Sequence, residues 1–473
     1  AVIYCNPALQ GKVVNSHDIA SWQGANAQSL KFKEEHGHYP LWTNSLFSGM
    51  PTFLIAYDAN NKVPWIVHSI LTLGLPVPIQ FFFLAAICFY FLAMVLRAHP
   101  YVGILGALAF AYATYNPVII SAGHDTKMWS IAYMPALLGS VILIFEKKYW
   151  IGAGLAALFT AIMVAMNHPQ IDYYLAMAMV IMTIFYAVRW IKARDYKHLA
   201  MAAVFTLGAA AVGVLTNAVT LLSTYEYQKE TIRTGGSELS DTVLAKDSKT
   251  GVSRDYALSY SMKMAEPFVM FAPHLFGGAN GNKAMDAEKS KTVEVLQGFP
   301  PQLQQNLGVD YYWGGLSETG LGTSGPPYIG AIIIFLSLLG AYLLDNKHKW
   351  WMFSVIALSI IVSWGSYFEG VSGFLYDYLP FYDKFRAPSM ILVLPQLLFP
   401  MLAVLTVQRI ADEPNKKLLL KPFKKGLILT GAVFALLLII YVSGEFITKQ
   451  DRALISQVAQ SNQQQLVQAI DTY

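Results

Sequence analysis

Long apolar runs alternate with polar stretches along most of the chain. Ten of these runs approach the ~20 residues that a helix needs to cross a hydrocarbon core ~30 Å thick. They cover residues 77–96, 101–121, 129–145, 150–167, 172–190, 199–222, 328–344, 349–364, 388–408 and 426–443. Backbone groups in lipid must be hydrogen-bonded within the spanning structure, and these runs lack strand alternation, so they favour helices over a barrel. The pattern predicts an all-α polytopic membrane protein.

The runs divide the chain into five predicted regions. Residues 1–76 begin abruptly without Met, which predicts the end of a first membrane helix that is cut off upstream, followed by a first outer loop. Residues 77–222 form a six-helix membrane core, and residues 328–443 form a four-helix membrane region. Between them, 223–327 lacks a spanning run and predicts a mixed extracytoplasmic subdomain. Residues 444–473 are a Gln-rich extracytoplasmic tail, after which we expect more chain.

Basic residues are concentrated in alternate polar stretches. These residues are Arg97; Lys147 and Lys148; Arg189, Lys192, Arg194 and Lys197; Lys347 and Lys349; and Arg409, Lys416, Lys417, Lys421, Lys424 and Lys425. Short loops rich in Lys and Arg stay on the cytoplasmic side of a membrane. We therefore expect the other stretches, including 6–76 and 223–327, to lie on the outer face.

Composition agrees with a membrane protein and indicates neither nucleic-acid binding nor a structural role for cysteines. Hydrophobic residues make up 55% of the chain and charged residues only 13%, against about a quarter in soluble domains. The formal charge of +4 is too small to suggest nucleic-acid binding. Cys5 and Cys88 lie in or beside apolar segments, so they indicate neither a disulfide framework nor a cysteine metal site.

The polar loop SAGHDTKMWS places His124, Asp125 and Lys127 between two apolar runs. Charges at membrane depth are costly unless they face water, a partner or a ligand. Asp18 lies on the same predicted face. Two carboxylates at one outer vestibule can divide the work, with one acting as a base and the other binding a cation. The alternatives are that Asp18 caps a helix and that Asp125 pairs with Lys127.

Three further polar residues on the predicted outer face are candidates for substrate binding: His168, Gln170 and Arg386. The Arg386 guanidinium can meet phosphate oxygens in a bidentate manner, whereas the alternative is a salt bridge to Glu369 or Asp377. Other candidates for an anionic ligand, each more typical of a solvated surface, are Lys229, Arg233 and Lys263. His17, His124 and His168 can form a metal site only if three separate loops converge.

Several spaced motifs carry a resemblance to a known family. They are PLW and GMP after Asp18, then GHD, NHPQIDYY, YSMKMAEPFVMFAPHLFGG, YYWGG, PPYIGA, VSWG and FYDKFRAPSM. Together they resemble the YfhO-like family of bacterial polytopic membrane proteins, which is similar to the GT-C glycosyltransferases. The resemblance covers essentially the whole chain and implies a GT-C-like helical bundle in the bacterial cytoplasmic (inner) membrane, with its site on the extracytoplasmic face.

The resemblance also implies a chemistry: transfer of a sugar from a polyprenyl-phosphate carrier to an extracytoplasmic glycan, lipid or protein. Asp18 and Asp125 match the acidic positions of the first and second outer loops in GT-C enzymes. GHD offers one carboxylate where that family commonly has two, so the resemblance leaves open whether a divalent cation binds. Its best ligands would be Asp125 and His124. Lys127 or Arg386 would neutralise phosphate, and Tyr311, Tyr312 and Trp313 would stack on sugars.

The expected partners are the lipid bilayer, the polyprenyl-phosphate-linked sugar and other envelope proteins. Two different functions are kept as alternatives. A transporter of a lipid-linked substrate predicts an internal repeat and charges midway along helices, but the polar residues here cluster at one predicted face. A non-catalytic scaffold of an envelope complex would use 223–327 for docking and would tolerate loss of Asp18 and Asp125.

Overall fold

The computed structural model describes residues 1–56, 62–231, 251–276 and 325–443. Most of the predicted subdomain 223–327 and the whole predicted tail 444–473 lie outside these residues, as do Arg233 and the three aromatic residues Tyr311, Tyr312 and Trp313. Elements are numbered in chain order within the described ranges.

Helices account for nearly all of the described secondary structure. They are α1 (Asn6–Leu9), α2 (His17–His36), α3 (Lys62–Leu71), α4 (Ile79–Val95), α5 (Pro100–Ala111), α6 (Tyr115–Ala122), α7 (Asp125–Phe145), α8 (Tyr149–Ala165), α9 (Pro169–Lys192), α10 (Tyr196–Leu215), α11 (Ala218–Tyr227), α12 (Arg254–Ala257), α13 (Ala331–Leu343), α14 (Lys349–Ser363), α15 (Glu369–Tyr378), α16 (Val393–Asp412) and α17 (Leu420–Ser443). A two-stranded antiparallel hairpin, β1 (Trp42–Thr43) with β2 (Met50–Pro51), lies in the first loop.

The prediction of an all-α polytopic protein is confirmed at this level. Five helices are long and apolar enough to cross a membrane, and the number rises to seven if each of two bent pairs counts as one span. α4, α8 and α13 are apolar but shorter. Each of the ten predicted runs is therefore occupied mainly by helix, although the runs themselves did not reveal the bends of 42° between α5 and α6 and of 105° between α14 and α15.

The bend between α5 and α6 is stabilised by a buried polar network. Asn116 donates from Nδ2 to the carbonyl oxygens of Phe110 and Ala111, each at 3.0 Å. Gln396 of α16 donates to Asn116 Oδ1 at 2.7 Å. A helix break in lipid is tolerated when side chains satisfy the freed carbonyls. The network therefore lets α6 turn away from α5 and form one wall of a cavity.

Two spans form the inside of the bundle. In the apolar stretch of α7, 94% of the residues are buried, and in that of Pro388–Asp412, which includes α16, 89% are buried. In the apolar stretch of Lys416–Ser443, which includes α17, only 6% are buried. α4, α5 and α8 pack around the first two, and α17 packs on α13 at the outside. A bundle in lipid needs polar or ionisable groups to face its interior, and the starts of these two inner spans bring such groups together.

Contacts between loops define a basic end of the bundle. Lys147 donates to Asp195 Oδ2 at 2.8 Å, and Lys347 pairs with Glu146. Gln408 near the end of α16 accepts from the His99 backbone N–H at 2.7 Å. These contacts bring the predicted cytoplasmic loops together. α7 runs from the opposite end, which we call the cavity end, to this basic end.

Candidate functional site

A half-open cavity of about 570 Å³ lies at the cavity end. Four of the predicted site residues line it: Asp18, His124, Lys127 and Arg386. They come from the start of α2, from the α6–α7 turn and first turn of α7, and from the loop before α16. Residues separated by up to 368 positions in the sequence (386 minus 18) are thus brought to one place.

The start of α2 is fixed by Ser16. Its hydroxyl accepts from the Ile19 backbone N–H at 3.3 Å and caps the helix. Asp18 is therefore not the capping residue that the alternative reading proposed. It lies in the first turn, where a carboxylate interacts favourably with the helix dipole.

Gly123 allows α2 to approach the α6–α7 turn. Its φ is +88°, in the left-handed region, and a Cβ here would overlap the Ser16 side chain and press on Ile19. The turn and the close approach both require glycine at this position. The contact places Ser16, and with it Asp18, beside His124.

We expect Gly123→Ala to destabilise the protein by about 1 kcal/mol or more, because alanine adds left-handed strain and displaces the Ser16 cap. Thermal unfolding in detergent would measure the change. Gly24→Ala in α2 is the matched control, since a Cβ there meets nothing within 4 Å, and it should stabilise by about 0.5–1 kcal/mol. Equal effects of the two substitutions would contradict this role for Gly123.

Asp18, His124 and Lys127 form a continuous hydrogen-bonded chain. His124 Nε2 lies 2.9 Å from Asp18 Oδ2, and Lys127 Nζ lies 3.2 Å from His124 Nδ1. His124 and Lys127 are three residues apart, so they share one face at the start of α7. Lys127 is 6% exposed, whereas the Asp18 side chain is 54% exposed. The chain thus runs from a buried cation to an accessible carboxylate.

This chain assigns the protonation state of His124. A lysine ammonium has donors only, so Nδ1 must accept from Lys127, and the single ring proton lies on Nε2 and is donated to Asp18. Burial lowers the pKa of His124, and the nearby Lys127 charge lowers it further, against the raising effect of Asp18. A neutral imidazole consequently links the Asp18 carboxylate to the buried Lys127 side chain.

Arg386 brings a second positive charge to the cavity. Its guanidinium lies over the rings of Tyr256, at 5.2 Å, and Tyr260, at 5.9 Å. Among the described residues it has no carboxylate partner. The salt bridge to Asp377 that was the alternative does not form, because Asp377 accepts both of its hydrogen bonds from Arg254 at 2.8 and 2.9 Å. Arg386 is therefore free to bind an anion.

The loop that carries Arg386 is tied to the start of α9. The buried Gln170 side chain donates to the Arg386 carbonyl oxygen and to Tyr174 Oη. Tyr173 donates from its hydroxyl to the Pro380 carbonyl at 2.8 Å. Gln170 thus anchors the backbone of Arg386 and is not among the described residues that line the cavity.

Two residues that line the cavity have a strained backbone. Tyr260 has φ +59° and Ala387 has φ +58°, in the left-handed region that L-residues with a side chain rarely adopt. Such strain costs about 1–3 kcal/mol per residue and is concentrated at functional sites. Ala387 immediately follows Arg386, and the Tyr260 ring lies 5.9 Å from that guanidinium.

His168 lies near Lys127 and His124 but is not among the described residues that line the cavity. It immediately precedes α9, and its Nε2 is buried without a hydrogen-bond partner in the described chain. Burial lowers its pKa to about 3, with smaller effects from Lys127 and His124. His168 is therefore a neutral packing residue next to Lys127 and His124 and does not contact the cavity directly.

Lowering the pH should reveal the contribution of His168 to the stability of the fold. Because burial lowers its folded pKa from the ordinary value of 6.5 to about 3, its stabilising contribution is complete above pH 6.5 and is lost as pH falls from there towards about 3. At about pH 5 the loss reaches up to about 2 kcal/mol. His168→Gln should therefore lose less thermal stability between about pH 7.5 and about pH 5 than the wild type. His38→Gln, at an exposed site, should behave like the wild type; a His168→Gln profile parallel to the wild type would contradict the assignment.

The structure separates Asp125 from the other candidates. Asp125 lies in the first turn of α7 but is not among the described residues that line the cavity. It makes no ion pair with Lys127, whose Nζ contacts His124 instead. Lys229 stacks on Tyr225, at 5.6 Å, and neither it nor Lys263 lines the cavity.

The described residues do not fit a metal site. Within them, no three His, Cys, Asp or Glu side chains come together in a way that could hold an ion. His17, His124 and His168 thus do not form the metal site that three converging loops could have made, and His124 already uses both ring nitrogens. Asp125 with His124 offers too few ligands, so no chemical step here is assigned to a cation.

Sequence reasoning missed the supporting residues of the site. Gly123 was visible only as part of GHD, and nothing marked Tyr256 and Tyr260 as partners of Arg386 except their aromatic character. Their roles depend on contacts between distant segments. Comparison with known protein families, curated proteins and solved structures finds no match for this chain.

Proposed function

We propose that the chain is a membrane glycosyltransferase that moves a sugar from a polyprenyl-phosphate donor to an extracytoplasmic glycan, lipid or protein. The observation that carries the proposal is one cavity that holds both an accessible carboxylate and a guanidinium without a carboxylate partner among the described residues. A transfer of this kind needs a base for the acceptor hydroxyl and positive charge for the departing phosphate.

Asp18 is the base in this proposal. Its carboxylate takes the proton of the acceptor hydroxyl while that oxygen forms a bond to the anomeric carbon. The bond between the anomeric carbon and the phosphate oxygen breaks, and its electron pair leaves with the phosphate. His124 orients the Asp18 carboxylate through the 2.9 Å hydrogen bond, and the proton is released from Asp18 after the transfer.

Arg386 and Lys127 stabilise the charge that develops on the leaving phosphate. The guanidinium offers paired donors that match phosphate oxygens. Lys127 has two ammonium protons left after its bond to His124. With Asp18 ionised, the three charged groups sum to +1, which suits an anionic donor. Asp125 is not given a direct role, because it lies outside the cavity lining.

The lining of the cavity includes apolar side chains that suit a prenyl chain. These are Val118, Ile119, Met262, Met390, Leu392 and Val393. The proposal places the cavity on the extracytoplasmic face of a bacterial cytoplasmic membrane, since the opposite end carries the basic loops. The resemblance to YfhO-like and GT-C proteins is part of the same proposal.

The test is a transfer assay with purified protein in liposomes. A panel of polyprenyl-monophosphate-linked radiolabelled sugars is supplied with a lipid and glycan extract as the acceptor pool. We expect label to leave the donor and enter a product only when protein is present. Movement of intact donor across the bilayer without product would favour the transporter, and neither transfer nor movement across the panel would favour the scaffold.

A further inference from the structure

α3 lies beside the inner span α7 rather than above it. Trp65 contacts Trp129 with ring centroids 6.4 Å apart, and His68 Nδ1 lies 2.9 Å from Tyr133 Oη. Trp65 contacts Trp129, and His68, one turn further along α3, contacts both Trp129, with ring centroids 5.4 Å apart, and the deeper Tyr133. The two helices therefore run in the same direction, away from the cavity end.

The depth of α3 follows from this pairing. Tyr133 is eight residues after Asp125, the first residue of α7, and a rise of 1.5 Å per residue places it about 12 Å along that helix. Tyr133 in turn packs on Phe159, at 6.1 Å, which is six residues before the end of α8. Measured from either span, His68 lies well below the helix ends and within one leaflet of a ~30 Å core.

The chain then turns back before it can cross. Leu73, at φ +54°, and Gly74, at φ +61°, both adopt the left-handed conformation directly after α3. α4 starts at Ile79, and its Phe81 packs 5.6 Å from Trp129, the same ring that Trp65 and His68 of α3 contact. α3 and the return segment 72–78 thus form a hairpin that enters and leaves on the same side.

The polar groups at the tip of this hairpin are satisfied internally. Thr72 Oγ1 donates to the His68 carbonyl at 2.8 Å, and Ser69 Oγ donates to the Trp65 carbonyl at 2.9 Å. The Gly74 and Leu75 backbone N–H groups donate to Ser69 and Thr72 carbonyls at 3.3 and 3.0 Å. A backbone reversal at membrane depth needs such bonding because lipid offers none.

One face of the hairpin is apolar and uncovered in the described structure. It is formed by Ile66, Ile70 and Leu73, which are 56%, 65% and 68% exposed. Ile66 and Ile70 are four residues apart and lie on one side of α3, and Leu73 follows in the turn after the helix, while His68 on the other side of α3 is buried. At this depth beside α7 and α8, this side continues the lipid-facing surface of the bundle.

We propose that α3 and residues 72–78 form a re-entrant hairpin that dips into one leaflet without crossing it, with the Ile66, Ile70 and Leu73 face in contact with lipid acyl chains. This inference requires a membrane protein but does not depend on the transferase activity. It gives the predicted first outer loop a membrane-inserted part next to the segment that carries Asp18.

Spin labels attached to single cysteines test the hairpin in phosphatidylcholine liposomes. Ile66→Cys and Ile70→Cys report on the apolar face, and Gln28→Cys on the exposed side of α2 is the matched control. The native cysteines, Cys5 and Cys88, are buried, and wild-type labelling measures their background. Thermal unfolding verifies that each variant is folded.

We expect the labels at 66 and 70 to collide with oxygen more than with a water-soluble nickel chelate, and the ratio to be greater at 70 than at 66. The label at 28 should favour the nickel chelate. Preference for nickel at 66 and 70 would show that the face is in water, and exclusion of both reagents would show that protein covers it; either result would overturn the proposal.

Discussion

Asp18→Asn should reduce sugar transfer by about 10²- to 10⁴-fold, the usual contribution of a general base. Asparagine has the size of aspartate, and its side-chain oxygen can still accept from His124 Nε2. The cavity and the start of α2 should therefore persist, while the group that takes the acceptor proton is lost. The rate of product formation in liposomes, normalised to folded protein, measures the effect.

Glu35→Gln is the matched control for Asp18→Asn, since it removes a carboxylate from the exposed end of the same helix. We expect it to retain wild-type transfer. Unchanged transfer by Asp18→Asn would exclude Asp18 as the base. Equal losses in both variants would indicate that the charge of α2, and not the position of Asp18, is what matters.

Arg386→Met should lower kcat by about 10²- to 10³-fold, because removal of one charged donor from a developing anion has about this cost. Methionine keeps part of the side-chain volume between Tyr256 and Tyr260. Arg386→Lys should recover part of the rate, since lysine keeps the charge but lacks the planar fork of arginine. Steady-state kinetics with a single labelled donor would measure all three proteins.

Lys229→Met is the control for Arg386, because Lys229 is also stacked on a tyrosine but lies outside the cavity. Its transfer rate should equal that of the wild type. If Arg386→Met kept its kcat and raised only KM, Arg386 would hold the ground-state donor and would not stabilise the leaving phosphate. Such a result would move that role to Lys127.

The apolar runs predicted the spans because about 20 consecutive apolar residues have few other uses. They did not predict α3, since its apolar residues fall in a segment too short to cross. They also missed the bends at α5–α6 and α14–α15, which depend on side chains of other segments, such as Gln396 on Asn116. The orientation of the bundle in the membrane stays a prediction.

The sequence predicted which residues belong to the site but not how they are arranged in space. His124 and Lys127 are three apart at a helix start, so their shared face could have been deduced from spacing. Asp125 follows His124 by one residue, which rotates it by about 100° around α7 and away from the face that His124 and Lys127 share. The pairing of Asp18 with His124 spans 106 positions and leaves no sequence signal, because it depends on how Gly123 lets α2 approach.

The separation of these residues along the chain also has a consequence for biosynthesis. At about 5–20 residues per second, the ribosome adds Arg386 roughly 20 to 70 s after Asp18. During that interval the Asp18, His124 and Lys127 chain can assemble as a charge-balanced group, with one carboxylate against one ammonium. The unbalanced positive charge of the cavity arrives only with the loop before α16, so a nascent chain should carry no strong anion site until nearly all of its spans have been made.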